Sequence, residues 1–207
     1  MTWEQWKVEL PVGECGAVSI RRMVKAPPDE LERVRAIFRD QGRLVPAGEY
    51  TALHRDGLLW MSDTPDEIRD QRGVLNAMSQ PDTQSVLIGG LGLGISVKMA
   101  LAQPHVERID VVELDGDVLQ LVGEHYATDP RVHLHHADVL SIKWPVGSQW
   151  DVAWFDIWPT ICTDNLDDMA KLNRSYARRT GWKQSWMEAM LRDMRRQEAR
   201  MPWAWYR

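Results

Sequence analysis

Residues 85–96, SVLIGGLGLGIS, decide the fold of this chain. Ser85–Ile88 is a short apolar run typical of a buried strand, and Ile95–Ala102 is compatible with a helix. Between them stand four glycines: Gly89, Gly90, Gly92 and Gly94. A strand, a glycine turn and a helix are the context of a nucleotide-binding loop, because glycine lets the backbone approach a ligand near a helix N-terminus. The spacing lacks the glycine that a pyrophosphate-binding G-x-G-x-x-G loop needs, and a tight turn without a ligand is the alternative.

Composition limits the classes of protein to consider. A chain of 207 residues suits one domain with an appendage. The net charge is −5, but residues 171–207 hold ten Lys and Arg against three Asp and Glu. No basic segment precedes an apolar core, and no apolar run is long enough to span a bilayer. Cys15 and Cys162 lie far apart, without metal or redox spacing. We therefore expect a reduced, cytoplasmic protein with no membrane association.

The first 80 residues indicate a β-rich extension with two helices. Alternating apolar residues predict strands over Trp3–Leu10 and Gly16–Val24, and Asp56-Gly57 predicts a hairpin between Tyr50–His54 and Leu58–Met61. A helix is expected over Leu31–Arg39. Another is expected from Pro65 to about Met78, with Thr64 as N-cap and Glu67 completing a capping box.

Strands and helices alternate after the glycine loop. Further strands are predicted at Arg108–Val112, Val132–His135 and Trp150–Phe155, with a helix over Gly116–Tyr126. After Pro159 only helices are predicted, over Leu166–Arg178 and Trp182–Arg200. The prediction is an α/β protein with a shortened, Rossmann-like parallel sheet of about four strands. It divides into a β-rich extension (1–80), a core (81–160) and a helical tail (161–207).

Each predicted core strand ends in residues that can meet a ligand: the glycines, Glu113, Asp138 and Asp156. The carboxyl edge of an open α/β sheet is where ligands bind. Glu113 lies nineteen residues after Gly94, a separation at which an acidic side chain accepts hydrogen bonds from ribose hydroxyls. Asp138 is a candidate acceptor for an adenine amino group. A solvated carboxylate at a strand end is the alternative for Glu113.

These residues carry a family resemblance. The runs VLIGGLGLGIS, RIDVVELDGDVLQLVGEHY, DPRVHLHHADVL and WDVAWFDIWP resemble the class I S-adenosylmethionine-dependent methyltransferase fold, and most of all its spermidine synthase branch. The hairpin GEYTALHRDGLLWMSD resembles the β-rich extension of that branch. The resemblance implies S-adenosylmethionine as cofactor. It assigns Gly90, Gly92 and Gly94 to the methionine moiety, Glu113 to the ribose, Asp138 with Val139 to the adenine, and Asp156 to the reacting centre, and it places Leu114 among the cofactor-binding residues.

The chain also departs from the spermidine synthase pattern. That branch has an aspartate inside the glycine loop, where this chain offers only Leu91 and Leu93, and a second aspartate where this chain has Trp158. Binding of a polycationic polyamine needs such carboxylates. The fifth, sixth and seventh strands of the family are also not predicted. These differences favour methyl transfer over aminopropyl transfer.

The predicted function is therefore methyl transfer to an unidentified small molecule or amine. Asp156 would take the proton, and Trp158 would either stack on the acceptor or pack in the core. Three alternatives stay open: an aminopropyltransferase, a nucleic-acid methyltransferase that uses the basic tail, and a non-catalytic nucleoside-binding module. A homodimer is also open. His133, His135 and His136 lack the partners of a metal site, so no metal is expected.

The segment between the hairpin and the next helix suggests a gate. Asp63 follows the hairpin directly and would face the acceptor or the amino group of the cofactor. A closed gate would exclude water from the reacting centre. The alternative is that Asp63 only marks the entry of the helix, with Thr64 as its cap.

Overall fold

The N-terminal part forms a four-stranded antiparallel sheet in the computed structural model, which describes residues 3–31 and 45–200. Its strands pair in chain order: β1 (Gly13–Cys15), β2 (Val18–Lys25), β3 (Gly48–Arg55) and β4 (Leu58–Ser62). Asp56 and Gly57 turn the chain between β3 and β4 with φ values of 49° and 77°. The hairpin predicted from this dipeptide is confirmed, since such turns require positive φ.

The predicted strand over Trp3–Leu10 is wrong. Trp3–Trp6 is a short 3₁₀ helix, and the residues after it pair with no strand. Trp6, Val8 and Leu10 are nevertheless all buried, so their alternation reflects burial rather than sheet pairing. Of the predicted helix Leu31–Arg39, only the first residue lies within the described part of the chain.

A five-stranded parallel sheet follows. Its strands are β5 (Ser85–Gly89), β6 (Arg108–Glu113), β7 (Val132–His136), β8 (Trp150–Phe155) and β9 (Thr180–Ser185). They lie side by side in the order β7-β6-β5-β8-β9, with β5 at the centre. This is the doubly wound order 3-2-1-4-5, in which the strand order reverses beside the first strand. The predicted α/β fold with a Rossmann-like sheet and a β-rich extension is confirmed.

The sheet has five strands rather than the predicted four, because β9 lies within the segment predicted to be helical. β9 pairs in parallel with β8, with Trp182 opposite Val152 and Ser185 opposite Phe155. Of its six residues only Ser185 is fully buried. The edge of the sheet beyond β8 is therefore extended by a strand, and the 161–207 segment, predicted to be a helical tail, is not purely helical.

The predicted helix from Pro65 to Met78 is two helices, α1 (Pro65–Asp70) and α2 (Arg72–Met78), separated at Gln71. The predicted capping box is wrong. Thr64 makes no capping hydrogen bond. The Glu67 carboxylate instead accepts hydrogen bonds from Ser62, which lies two residues before Thr64. The donors are the backbone N–H of Ser62 (2.9 Å) and its hydroxyl (2.7 Å).

Helices cover the parallel sheet. α3 (Ile95–Leu101) follows the glycine loop. The helix predicted over Gly116–Tyr126 consists of α4 (Gly116–Val118), a π-helical turn (Leu119–Gly123) and α5 (Glu124–Tyr126). The chain after β8 forms α6 (Asn165–Tyr176) and α7 (Glu188–Arg200). No helix of the described ranges is long and apolar enough to cross a membrane.

The N-terminal sheet and the parallel sheet share one hydrophobic core. Ile20 and Leu53 of the first sheet belong to the same buried cluster as Ile88 and Val111 of the second. Polar contacts join the two at the start of α4, where Asp117 accepts a hydrogen bond from the Ala17 N–H (3.1 Å). Arg55 of β3 forms an ion pair with Asp115. The hairpin is thereby held against the carboxyl ends of the parallel strands.

Candidate functional site

A cavity of about 890 Å³ lies at the carboxyl ends of β5, β6 and β8. Its walls come from the glycine loop, the strand ends, α1 and the β3–β4 hairpin. Eight of the ten residues predicted for the site line it: Gly90, Gly92, Glu113, Leu114, Asp138, Val139, Asp156 and Trp158. Gly94 and Asp63 do not. The fold therefore brings most of the predicted set to one place, while the ligand-binding role of each residue stays a prediction.

The glycine loop turns tightly beside the end of β8. Gly90 has a φ of 91°, and a Cβ at this position would lie 2.1 Å from the carbonyl oxygen of Asp156. Gly94, with a φ of 74°, caps α3 and packs against the ring of Tyr126, which a Cβ would approach to 2.1 Å. Any side chain at either position would push the loop away. Gly94 thus supports the loop from behind rather than lining the cavity.

Glu113 ends β6 with its carboxylate tied to the backbone around it. One oxygen accepts a hydrogen bond from the Leu91 N–H (2.7 Å) and the other from the Asp115 N–H (2.8 Å). Burial raises the pKa of Glu113, and hydrogen bonds from the backbone N–H groups of Leu91, Leu114 and Gly92 oppose the rise. A carboxylate has about four acceptor positions, so acceptor capacity remains for a ribose hydroxyl. Leu114 beside it is 69% exposed at the mouth of the cavity.

Asp138 and Val139 form a fixed turn after β7. Asp138 accepts hydrogen bonds from the Leu140 N–H (2.8 Å) and the Ser141 hydroxyl (3.1 Å). The Val139 side chain is buried, and its carbonyl accepts a hydrogen bond from the Tyr176 hydroxyl (3.1 Å). An apolar side chain next to a carboxylate can hold one face and one edge of a purine.

Asp156 lies in an acidic wall that the sequence did not reveal. Burial raises the pKa of Asp156 to about 7, and the negative charges of Glu67 and Asp70 add to the rise. Glu67 lines the same cavity, and burial likewise raises its pKa to about 7. Within the described residues the Asp156 side chain has no hydrogen-bond partner. Carboxylates grouped in this way favour a cationic ligand, whose charge relieves their repulsion.

Trp158 lines the cavity and also packs against the tail. Its half-buried ring contacts the cluster of Leu166, Met169 and Leu191 from α6 and α7. The indole N–H is buried and has no hydrogen-bond partner within the described ranges. Trp158 therefore packs against a core cluster and also lines the cavity, while stacking on an acceptor stays a prediction. Trp60 and Trp186 add further aromatic surface.

Asp63 does not face the cavity, and here the structure corrects the predicted gate. Its side chain is fully buried and accepts hydrogen bonds from the Val8 N–H (3.0 Å) and the Thr51 N–H (2.7 Å). The carboxylate holds the N-terminal segment against β3, so it neither caps α1 nor meets a ligand. The acidic side chain that the hairpin region brings to the cavity is Glu67, four residues later.

The basic tail is partly neutralised by neighbouring acids. Arg192 pairs with Glu188 (2.6 Å), and Arg195 pairs with Asp167 (3.3 Å). The three histidines diverge: His135 donates to Asp110 (2.8 Å), His136 donates to the Leu114 carbonyl (3.1 Å), and His133 is exposed. In the part of the chain that the structure describes, no group of His, Cys, Asp and Glu is arranged to hold a metal. Nucleic-acid binding by the tail stays a prediction.

A sulfonium nucleoside fits the groups around the cavity. The close backbone approach at Gly90 leaves room beside the loop, Glu113 offers acceptors at the end of β6, and Val139 with Asp138 offers an apolar face beside a polar edge. The acidic wall supplies negative charge suited to a cationic sulfur. Gln71 and Ser96, joined by a hydrogen bond of 2.6 Å, close the cavity from behind.

Comparison with known proteins points to one group of enzymes. The chain is 34% identical over 126 residues to polyamine aminopropyltransferase 2 of Caldanaerobacter subterraneus, covering 58% of this chain and 41% of that protein. It is 32% identical over 138 residues to the polyamine aminopropyltransferase of Mycobacterium tuberculosis, covering 63% of this chain and 25% of that protein. The match thus spans less than half the length of either relative. No protein-family model matches the chain.

Solved structures with related folds include spermidine synthase from Thermotoga maritima, at 23% identity and a TM-score of 0.38, covering 51% of this chain and 39% of that one. The N-methyltransferase NodS from Bradyrhizobium japonicum gives 12% identity and a TM-score of 0.43, covering 56% and 64%. The 3-2-1-4-5 sheet order agrees with the class I S-adenosylmethionine-dependent methyltransferase fold that the sequence resembles, and the sequence matches support the similarity to the spermidine synthase branch.

Proposed function

We propose that the protein transfers an aminopropyl group from decarboxylated S-adenosylmethionine to an amine. The observation that carries the proposal is the acidic wall formed by Glu67 and Asp156 at the end of β8, where the charge of Asp70 also acts on Asp156. An amine acceptor is a cation at neutral pH, and this wall is where a cation gains most. Sequence similarity to polyamine aminopropyltransferases supports the same reading.

The sequence argued against aminopropyl transfer because the chain lacks the carboxylates with which the spermidine synthase pattern binds a polyamine. The acidic wall supplies carboxylates from other positions. The glycine loop offers only Leu91 and Leu93 where the spermidine synthase pattern has one aspartate, and Trp158 stands where that pattern has a second. The lost charges are offset from a different element, because α1 brings Glu67 and Asp70 towards Asp156. Glu67 thus supplies a carboxylate in the cavity from a position outside the spermidine synthase pattern. This change of position predicts an acceptor preference that differs from that of the usual diamine-binding pattern.

The residues of the chain have separate tasks in the proposed reaction. The bound sulfonium supplies an electrophilic carbon, to which the acceptor nitrogen bonds as the carbon–sulfur bond breaks and leaves its electron pair on sulfur. Asp156, with its pKa raised to about 7, takes the proton that the acceptor nitrogen gives up. Glu67 holds the charged acceptor in place, and Glu113 orients the nucleoside.

Methyl transfer from S-adenosylmethionine to an amine is the second candidate. It is favoured by one observation: the glycine loop carries Leu91 and Leu93 in place of a charged residue. Methyl transfer needs mainly alignment of the acceptor and a group that takes a proton, and Asp156 serves both candidates equally. The donor therefore decides between them.

A competition between donors tests the proposal. The purified protein is incubated with putrescine, cadaverine, spermidine and a monoamine, with either decarboxylated S-adenosylmethionine or S-adenosylmethionine, and products are identified by mass spectrometry. We expect an aminopropylated amine and methylthioadenosine from the decarboxylated donor. Methylated amine from S-adenosylmethionine, with no aminopropylated product, would establish the second candidate instead. The Asp156→Asn variant controls for transfer outside the site.

A further inference from the structure

The N–H groups of the glycine loop are already engaged within the protein. Gly90 donates to the Val112 carbonyl (2.8 Å), Leu91 to Glu113 (2.7 Å) and Gly94 to the Leu91 carbonyl (2.8 Å). The Gly92 N–H also acts on the Glu113 carboxylate, where it helps to hold down the pKa. A glycine loop usually binds anions through free N–H groups of this kind.

The N–H group of Leu93, the remaining one in the glycine loop, is hydrogen-bonded to a sulfur atom. It donates to the thioether sulfur of Met61, at 3.1 Å. Met61 belongs to β4 of the N-terminal sheet, so this acceptor reaches the loop from outside the parallel sheet. The same sulfur lies 2.3 Å from where a Cβ on Gly92 would stand, which shows how closely Met61 covers the loop. Met61 also lines the cavity.

The opposite wall of the cavity is acidic. Glu67 and Asp156 line it, and Asp70 contributes negative charge at Asp156. A donor whose carboxylate lies between the loop and this wall would therefore meet no free N–H group at residues 90–94 and would face the negative charges of Glu67 and Asp156. There its carboxylate would lose hydration without gaining a hydrogen bond from the loop, whereas a donor without the carboxylate avoids that cost.

We propose that Met61 is a specificity-determining residue that disfavours donors with a carboxylate, because its sulfur occupies the Leu93 N–H. This inference rests on the proposed function and concerns the choice of donor at that site. Of the acceptors of the loop N–H groups, Met61 alone can be replaced without altering the parallel sheet or the loop itself. The other acceptors are backbone carbonyls and Glu113.

Binding measured without an acceptor tests this role separately from turnover. The dissociation constants of S-adenosylmethionine and of its decarboxylated form are determined by calorimetry for wild type, Met61→Ala and Met61→Gln. Wild type should bind the decarboxylated form about tenfold more tightly or better, the fold-change of one hydrogen bond to a charged group. Met61→Ala frees the N–H, so this ratio should fall about tenfold. Met61→Gln retains an acceptor and should keep the wild-type ratio.

Leu59→Ala, an exposed position on the same strand, is the matched control and should leave the ratio unchanged. Thermal melting of every variant verifies folding. A wild-type ratio near one, or an Ala variant that keeps the wild-type ratio, would overturn the role of Met61. An equal loss of selectivity in the Gln variant would also overturn it, because Gln keeps an acceptor at this position and the occupied N–H would then not account for the selectivity. Formation of aminopropylated product is scored independently, so the proposed function can fail while this inference stands, and the reverse.

Discussion

Glu67 of α1 and Asp156 at the end of β8 present their carboxylates to one cavity from two different elements. Burial raises the pKa of Asp156 to about 7, and the charge of Glu67 adds to that rise. A cation held between the two carboxylates would offset the free-energy cost of burying two negative charges close together. The pair therefore links the stability of the ligand-free protein to the chemistry proposed for the site.

The ligand-free protein should lose stability as the pH rises from 5 to 8. The pKa values of Asp156 and Glu67 rise from ordinary values of 3.8 and 4.5 to about 7, so the folded state binds more protons than the unfolded state within this window. The free energy of unfolding then falls with rising pH, by roughly 5 kcal/mol for two carboxyl groups that titrate independently. Urea unfolding across this range measures it.

Variants assign this loss to the two carboxylates. Asp156→Asn combined with Glu67→Gln should flatten the pH dependence, because neither amide titrates. Asp66→Asn, beside Glu67 on the same helix and paired with Arg69, should leave it unchanged. An unaltered slope in the double variant would contradict the assignment.

Glu113→Gln should weaken binding of the adenosyl donor about tenfold or more. A carboxylate contributes about 1.5–3 kcal/mol for each hydrogen bond from a ribose hydroxyl, and the amide removes this charge. Calorimetry with methylthioadenosine, which retains the ribose, measures the effect. Glu107→Gln, an exposed carboxylate just before the same strand, is the control. Equal affinity in wild type and Glu113→Gln would remove Glu113 from the ribose site.

Asp63→Asn should destabilise the protein rather than impair the donor site. The buried carboxylate accepts hydrogen bonds from the Val8 and Thr51 N–H groups, and an amide can serve only one of them. We expect a loss of about 2–4 kcal/mol in the free energy of unfolding. Thr64→Ala should cost little, because Thr64 makes no capping bond. A variant of Asp63 with normal stability and lost donor affinity would restore the gate hypothesis.

Much of the fold follows from local patterns. β5, β6 and β8 are short apolar runs buried on both faces, so their strands could be predicted from the sequence within a residue or so. β9, with the sequence TGWKQS, is an edge strand whose residues are mostly half-buried, and it therefore lacks such a run. Its pairing with β8 is set by tertiary contacts alone.

The site was predictable only where it depends on strand ends. Asp156 and Glu113 end parallel strands, and parallel strands deliver their carboxyl ends to one edge. Met61 reaches the same cavity from the N-terminal sheet and Glu67 reaches it from α1. No local spacing in the sequence predicts how those elements pack against the parallel sheet. The Glu67 pattern even matched a capping box, which shows that a local motif can be satisfied in sequence and unused in the fold.

The pH dependence of aminopropyl transfer tests the central claim most directly. If Asp156 accepts the proton, kcat/KM should rise with pH to a plateau, with an apparent pKa near 7. Asp156→Asn should lower kcat/KM by about 10²–10⁴ and abolish this rise, while Asp66→Asn behaves as wild type. Full activity with an unchanged profile in Asp156→Asn would contradict the account.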